Sequence, residues 1–139
     1  MAIELIPLCT ATVTLAEPIT LADTPAGTRM IFEVLEARTE GERFTSRIKG
    51  SANADWFLVS ADGTGTLDVR ATVETDDGAL VFIQYVGRTD LSGGPGAPVY
   101  VAPRFETGDE RYAWLNRIQA VGRGHLAGAE LTYDWYELR

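Results

Sequence analysis

The stretch TLDVRATVETDDGALVFIQYVGR, from Thr66 to Arg88, decides the fold. In its first half Leu67, Val69, Ala71 and Val73 alternate with Asp68, Arg70, Thr72 and Glu74. A period of two is the pattern of a strand with one buried face. Asp77-Gly78 then supplies a tight-turn signal. The second half, Ala79 to Gly87, is apolar at both parities through Leu80, Val81, Phe82 and Ile83, with Tyr85 projecting from it. The first strand sets Arg70 and Glu74 on one face. Such a hairpin suits a closed sheet around a small pocket that is part polar and part apolar.

Strand signals continue on both sides. Glu4 to Leu15, Arg29 to Ala37, Phe44 to Lys49 and Trp56 to Ser60 precede the hairpin, divided by turn residues such as Thr39-Glu40-Gly41-Glu42 and Asp62-Gly63. Beyond it, Val99 to Phe105, Asn116 to Val121 and Leu131 to Leu138 read as further strands, and GRGHLAG, from Gly122 to Gly128, as a glycine-rich connection. Thr89 to Pro98, with Ser92-Gly93-Gly94-Pro95-Gly96, is a candidate lid or rim loop. Thr107 to Leu115 reads as a loop with one helical turn, Asp109 serving as its N-cap. About nine or ten short strands at close spacing predict an all-β fold, a single antiparallel barrel that encloses a small-molecule cavity.

With 139 residues, the chain is expected to form one domain with a sizeable core. A net charge of −8 and a pI of about 4.6 argue against nucleic acid and against anionic membrane surfaces as partners. Composition leaves a homo-oligomer open. The twelve basic residues include one lysine, Lys49, in the polar segment RIKGS, where a solvated ammonium is expected rather than a Schiff base. The single cysteine, Cys9, excludes an internal disulfide and fits a reducing cytoplasm. The N-terminal residues lack the basic region and unbroken apolar run of a signal peptide.

The sequence offers little for a metal or a cofactor. His125 is the single histidine, and no HxH, CxxC or HExxH spacing exists. There is no GxSxG elbow, and Cys9 lies on an apolar strand face, as an inert buried thiol would. No cofactor is expected. Carboxylates, arginines and aromatics remain. Asp55-Trp56 opens a strand, while Arg104 and Glu106 share a strand face with Tyr100 and Ala102. Tyr112, Trp114 and Asn116 follow closely, crowding five such residues into 13 positions. Carboxylates buried near arginines and tyrosines can hold shifted pKa values and move protons. On an outward face the same residues would form surface ion pairs of small consequence.

Four segments carry a family resemblance: LCTATVTLAEPI from Leu8, ADW from Ala54, LDVRATVETDDGALVFIQYVGR from Leu67 and APRFETGDERYAWLN from Ala102. In these the chain resembles the DUF3237 family, also called UPF0311. The resemblance implies one β-barrel domain over residues 1–139 with an internal cavity, and implies no particular reaction. It places Asp55, Trp56, Arg70, Asp77 and Gly78 among typical family positions, together with Arg104, Glu106, Tyr112, Trp114 and Asn116. The chain departs from the family pattern at Ser51-Ala52-Asn53-Ala54 and at Glu36-Ala37-Arg38, where glycines are usual.

Two functions are compatible with these residues. One is a cofactor-independent acid–base enzyme, an isomerase, cyclase or lyase, acting on a small, partly apolar carbonyl compound. Glu106 or Asp55 would be the base, with Arg104, Tyr112 and Asn116 as donors. Trp56, Tyr85 and Trp114 would form the walls of the substrate site, with Arg70 and Glu74 beside them. The other is a non-catalytic barrel that carries or senses an apolar metabolite.

Overall fold

A computed structural model describes all residues from Met1 to Arg139. Eleven strands form one antiparallel sheet: β1 (Leu5–Leu15), β2 (Ile19–Thr24), β3 (Gly27–Glu40), β4 (Ser46–Ile48), β5 (Ala54–Val59), β6 (Thr64–Thr75), β7 (Leu80–Asp90), β8 (Val99–Val101), β9 (Arg104–Glu106), β10 (Ala120–Ala127) and β11 (Glu130–Leu138). Eight of them close on themselves in the order β6-β5-β3-β1-β11-β10-β8-β7, with β7 pairing back onto β6. The closing pair is the hairpin read first in the sequence. It runs in register from Thr64 opposite Asp90 to Glu74 opposite Leu80, and Gly78 makes its turn at φ 92°. Closure leaves no free edge on these eight strands. Of the short strands, β2 pairs with β3, β9 pairs with β7, and β4 bridges β3 and β6 in the wall beside β5.

The period of two assigns the faces. On β6 and β7, Leu67, Val69, Val73, Val81, Ile83 and Tyr85 point inward and are buried. Arg70 and Leu80 point outward. The interior is strongly aromatic. Edge-to-face contacts run from Phe44 to Phe105 (5.8 Å between centroids), from Phe105 to Trp135 (6.0 Å) and from Trp135 to Tyr85 (5.7 Å). Tyr85 also meets Tyr133 at 5.9 Å.

A 3-10 helix, Glu110–Arg117, covers one end of the barrel. Asp109 caps it by accepting from the Arg111 N–H, as its sequence position predicts. Leu115 of this helix and Phe44, from the loop after β3, are buried to 0% and 1% exposure and close that end. Arg111 and Tyr112 strap the helix to the hairpin turn: Arg111 donates to the Asp77 carbonyl at 3.0 Å, and the Tyr112 hydroxyl to Asp77 Oδ1 at 2.8 Å. At the other end the inward side chains Met30, Phe32 and Val59 are only half-buried. Residues 91–98 join β7 to β8 at that rim.

Two sequence expectations are corrected here. Val99 to Phe105 is not one strand: the buried Pro103 cannot donate to a ladder, and β8 and β9 form on either side of it. The segment from Gly122 is not a connection but most of β10, paired with β11 from Ala120 opposite Glu137 to Ala127 opposite Glu130. Its glycines lie where two large side chains need the backbone bare. A methyl group added at Gly124 would stand 2.4 Å from the Tyr133 ring, and one at Gly122 equally close to the Trp135 ring. No helix is long and apolar enough to cross a membrane.

Phe44 is the plug of the covered end. Phe44→Ala is expected to destabilise the fold by about 3–5 kcal/mol through the cavity it leaves, read as a lowered midpoint in urea unfolding with an unchanged slope.

Candidate functional site

Two carboxylates occupy inward positions, and their surroundings differ. Glu137, near the covered end, is held by Arg43 at 2.8 Å and by Arg139 at 3.2 Å. Asp55, near the start of β5, makes no ion pair. Its one hydrogen bond is to the Asp68 N–H, accepted by Oδ1 at 3.0 Å. This bond sits where the β5–β6 ladder is interrupted: Asp55 opposes Val69 and Leu58 opposes Thr66, but Trp56 and Phe57 have no paired residue. The carboxylate thus replaces a missing main-chain acceptor, and its second oxygen is left without a protein donor. Burial pushes the Asp55 carboxyl up to about 6, with the Asp68 N–H opposing the rise in part. Near neutral pH such a group can both accept and return a proton.

The groups around it are hydroxyls and an indole. Tyr85 and Tyr133 are both held above the usual phenol range, chiefly by burial, and the Asp55 charge adds to this in each case. Both therefore remain neutral donors. Their hydroxyls lie close enough to affect each other's ionisation, yet they do not meet in hydrogen-bond geometry. Tyr133 Oη and Trp135 Nε1 are buried and have no hydrogen-bond partner. Buried polar groups are nearly always paired, so two orphans side by side are unusual. Phe57, two residues beyond Asp55, and Phe32, opposite Asp55 on β3, stack edge to face at 6.1 Å on the half-open side.

The residues singled out in the sequence separate into two groups. Asp55 and Tyr85 are brought together in the interior. The others are not. Arg104 and Glu106 share a face, as their spacing requires, but the face is the outer one, and Phe105 between them points in. Trp56 is 36% exposed on the outer face, with Arg70 stacked over it at 6.0 Å. Glu74 pairs with Lys49 at 3.6 Å in solvent. Trp114 lies at the covered end beneath Arg43, at 4.9 Å. Asn116 is exposed and holds both the N–H and the carbonyl of Thr107, at 2.8 and 2.9 Å. Tyr112 is tied to Asp77. The physical reason is parity. Inward and outward positions alternate, so a crowded run of polar residues around buried Phe105 and Leu115 falls on the outside.

Sequence reasoning missed Tyr133 and Trp135. A signal was available: inward glycines at 122 and 124 match inward aromatics at 135 and 133 on the paired strand. Cys9 is buried, and burial lifts its thiol to about 12, which leaves it inert. Shallow depressions on the outer wall, under the 89–98 segment and across β8, β10 and β11, do not include Asp55.

A closed antiparallel barrel with one unpaired acid in an aromatic interior defines the class. The chain belongs to the DUF3237 family, described as proteins of unknown function, whose model matches residues 3–138. A UPF0311 protein of Rhodopseudomonas palustris is 28% identical over 125 residues, covering 81% of each chain. A solved β-barrel-like protein of Acinetobacter baumannii superposes with a TM-score of 0.89 at 32% identity, over 100% of this chain and 98% of its own. A hydroalkoxylation enzyme of Penicillium herquei is 37% identical over 62 residues, 45% of this chain and 36% of that protein. A solved enzyme from the same fungus shares the fold with a TM-score of 0.72 at 23% identity, over 98% and 93% of the two chains. A distant, partial relative is thus an enzyme, and an enzyme is built on this fold.

A carboxyl whose pKa rises on folding binds protons more tightly in the native state. Stability therefore falls as pH rises through the window from about 4 to 6 and stays lower above it. Asp55→Asn keeps the oxygen that accepts from Asp68 and removes the buried charge. The variant should be more stable than the native protein at pH 8, by on the order of 2–3 kcal/mol. Below pH 4 the difference should vanish. Thermal melts across this range check both ends.

Proposed function

We propose that this protein is a cofactor-independent acid–base enzyme that isomerises or cyclises a small oxygenated compound inside the barrel, with Asp55 as the group that moves the proton. The observation that carries this reading is the unpaired, buried Asp55 carboxyl with one oxygen free. A buried acid costs stability, and such groups persist where activity needs them. The hydroalkoxylation enzyme among the relatives supports a reaction in which an O–H adds across a C=C bond.

In such a cyclisation the Asp55 carboxylate takes the hydroxyl proton. The oxygen pair forms the new C–O bond at the far alkene carbon. In an enone the π pair moves onto the carbonyl as an enolate, and protonated Asp55 returns the proton to the adjacent carbon. No atom is gained or lost and no electron is transferred, so neither redox group nor nucleotide is called upon. Oxygen–carbon approach inside a closed, apolar barrel supplies the orientation.

A hydroxychalcone, an aryl enone with an ortho phenol, reports this chemistry by loss of its conjugated absorbance. Native protein should accelerate ring closure, with kcat/KM rising through about pH 6 as Asp55 ionises. Asp55→Asn should lower kcat by about 100-fold or more. Glu106→Gln and Arg104→Ala, on the outer face, should leave it within about twofold. If a panel of such phenols binds at Asp55 yet none reacts or exchanges a proton with deuterated solvent, the protein is a carrier. If Asp55→Asn keeps full activity, Asp55 is not the base.

A further inference from the structure

Tyr133 Oη and Trp135 Nε1 have no protein partner, although Tyr133 is fully buried and Trp135 is 3% exposed. Both belong to β11 and point to the barrel axis beside Tyr85, their rings 6.1 Å apart. Their attitudes are fixed from behind. The paired strand carries Gly124 opposite Tyr133 and Gly122 opposite Trp135, and the rings lie where the absent side chains would stand. An alanine at either position would push the ring off the wall. The chain therefore gives up two wall side chains and holds two donors in place, with the Tyr85 hydroxyl near Tyr133 but no acceptor in hydrogen-bond geometry for either. Leaving a buried donor unsatisfied costs about 1–3 kcal/mol, so an oxygen from outside the protein is the expected occupant.

We propose that Tyr133 and Trp135 form a donor pair for the anionic oxygen of a flat aryl ligand, a phenolate or an aryl enolate, with Gly122 and Gly124 as the positions that set its geometry. This rests on the acid–base reading of Asp55 and names its ligand class. Four observations select that class. The donors are neutral and buried in low-dielectric surroundings, where they favour localised negative charge. The nearby rings Tyr85, Phe57 and Phe32 offer edges and faces to a planar ring. The half-buried Met30 and Val59 mark the open end. No arginine or lysine lies at an inward position near Asp55, so a carboxylate or phosphate ligand would be poorly matched. Trp135 and Tyr133 would act by hydrogen bonding to the ligand oxygen. The proton would be carried by Asp55.

The probe is 4-nitrophenol, which absorbs differently as phenol and as phenolate. In buffer about one pH unit below its own pKa, the Asp55→Asn protein should bind it as the coloured phenolate, since a neutral amide removes repulsion. At about pH 8, where Asp55 is ionised, native protein should bind phenolate at least about tenfold more weakly than Asp55→Asn. Tyr133→Phe and Trp135→Phe, each made on Asp55→Asn, should weaken phenolate binding by about tenfold. Tyr133→Phe removes only an unpartnered buried hydroxyl, so its melt should lie at or above that of its parent and separate a lost contact from lost folding. Phenolate affinity within about twofold of the parent in both double variants overturns the donor pair, as does failure of every form to bind, which would leave the orphans to buried water. If native and Asp55→Asn proteins bind phenolate equally, the acid–base reading of Asp55 fails. The donor assignment is then still decided by the Tyr133 and Trp135 variants.

Discussion

Main-chain pairing between β6 and β7 turns a sheet into a barrel, and the rest of the structure depends on that closure. Eleven residue pairs, from Thr64–Asp90 to Glu74–Leu80, hold the seam. Once the seam is shut, every second residue of eight strands faces the same enclosed space. A side chain there has neither bulk water nor a free sheet edge for a partner. Whatever polar atom occupies an inward position must be matched by another interior group or carry the cost. This makes the few inward polar residues the most informative in the molecule.

The interior treats its two carboxylates differently. Glu137 is held by two arginines near the covered end and helps to tie the last strand to the loop containing Phe44. Asp55 has one main-chain donor and no cation. Removing that single donor's competitor, the main-chain ladder at Trp56 and Phe57, is what frees the Asp68 N–H for it. The strand irregularity and the perturbed acid are therefore one feature. A stability optimum would place an amide or an apolar residue at position 55. The acid at position 55 costs stability, and the proposed proton transfer rests on that cost.

Polar networks on the outside have a different role. Asp77 accepts from Thr75 at 2.6 Å and from Tyr112, and its carboxyl is held below the usual range mainly by the Thr75 hydroxyl. Arg111 spans Asp109 and the same turn. These contacts clamp the covering helix over the end of the seam. They account for why Asp77, Asp109, Arg111 and Tyr112 cluster in space although they lie in two segments of the chain.

The sequence by itself determined the all-β class, the central hairpin with its Asp77-Gly78 turn, the Asp109 cap and the apolar face of β6. All of these follow from local rules: a period of two, a turn that needs positive φ, a capping carboxylate. It also brought out Asp55 and Tyr85. What it could not determine was which face of each strand is inside when both carry polar residues. Arg104 and Glu106 share a face by spacing alone, but only the packing of Phe105 against Phe44 and Trp135 sends that face to solvent. Nor could it show that Gly122 and Gly124 belong to a strand, because glycine signals a turn until the partner strand places Trp135 and Tyr133 over it. Those two aromatics entered the site through tertiary structure, since pairing between β10 and β11, rather than any local propensity, decides where a bare backbone meets a ring.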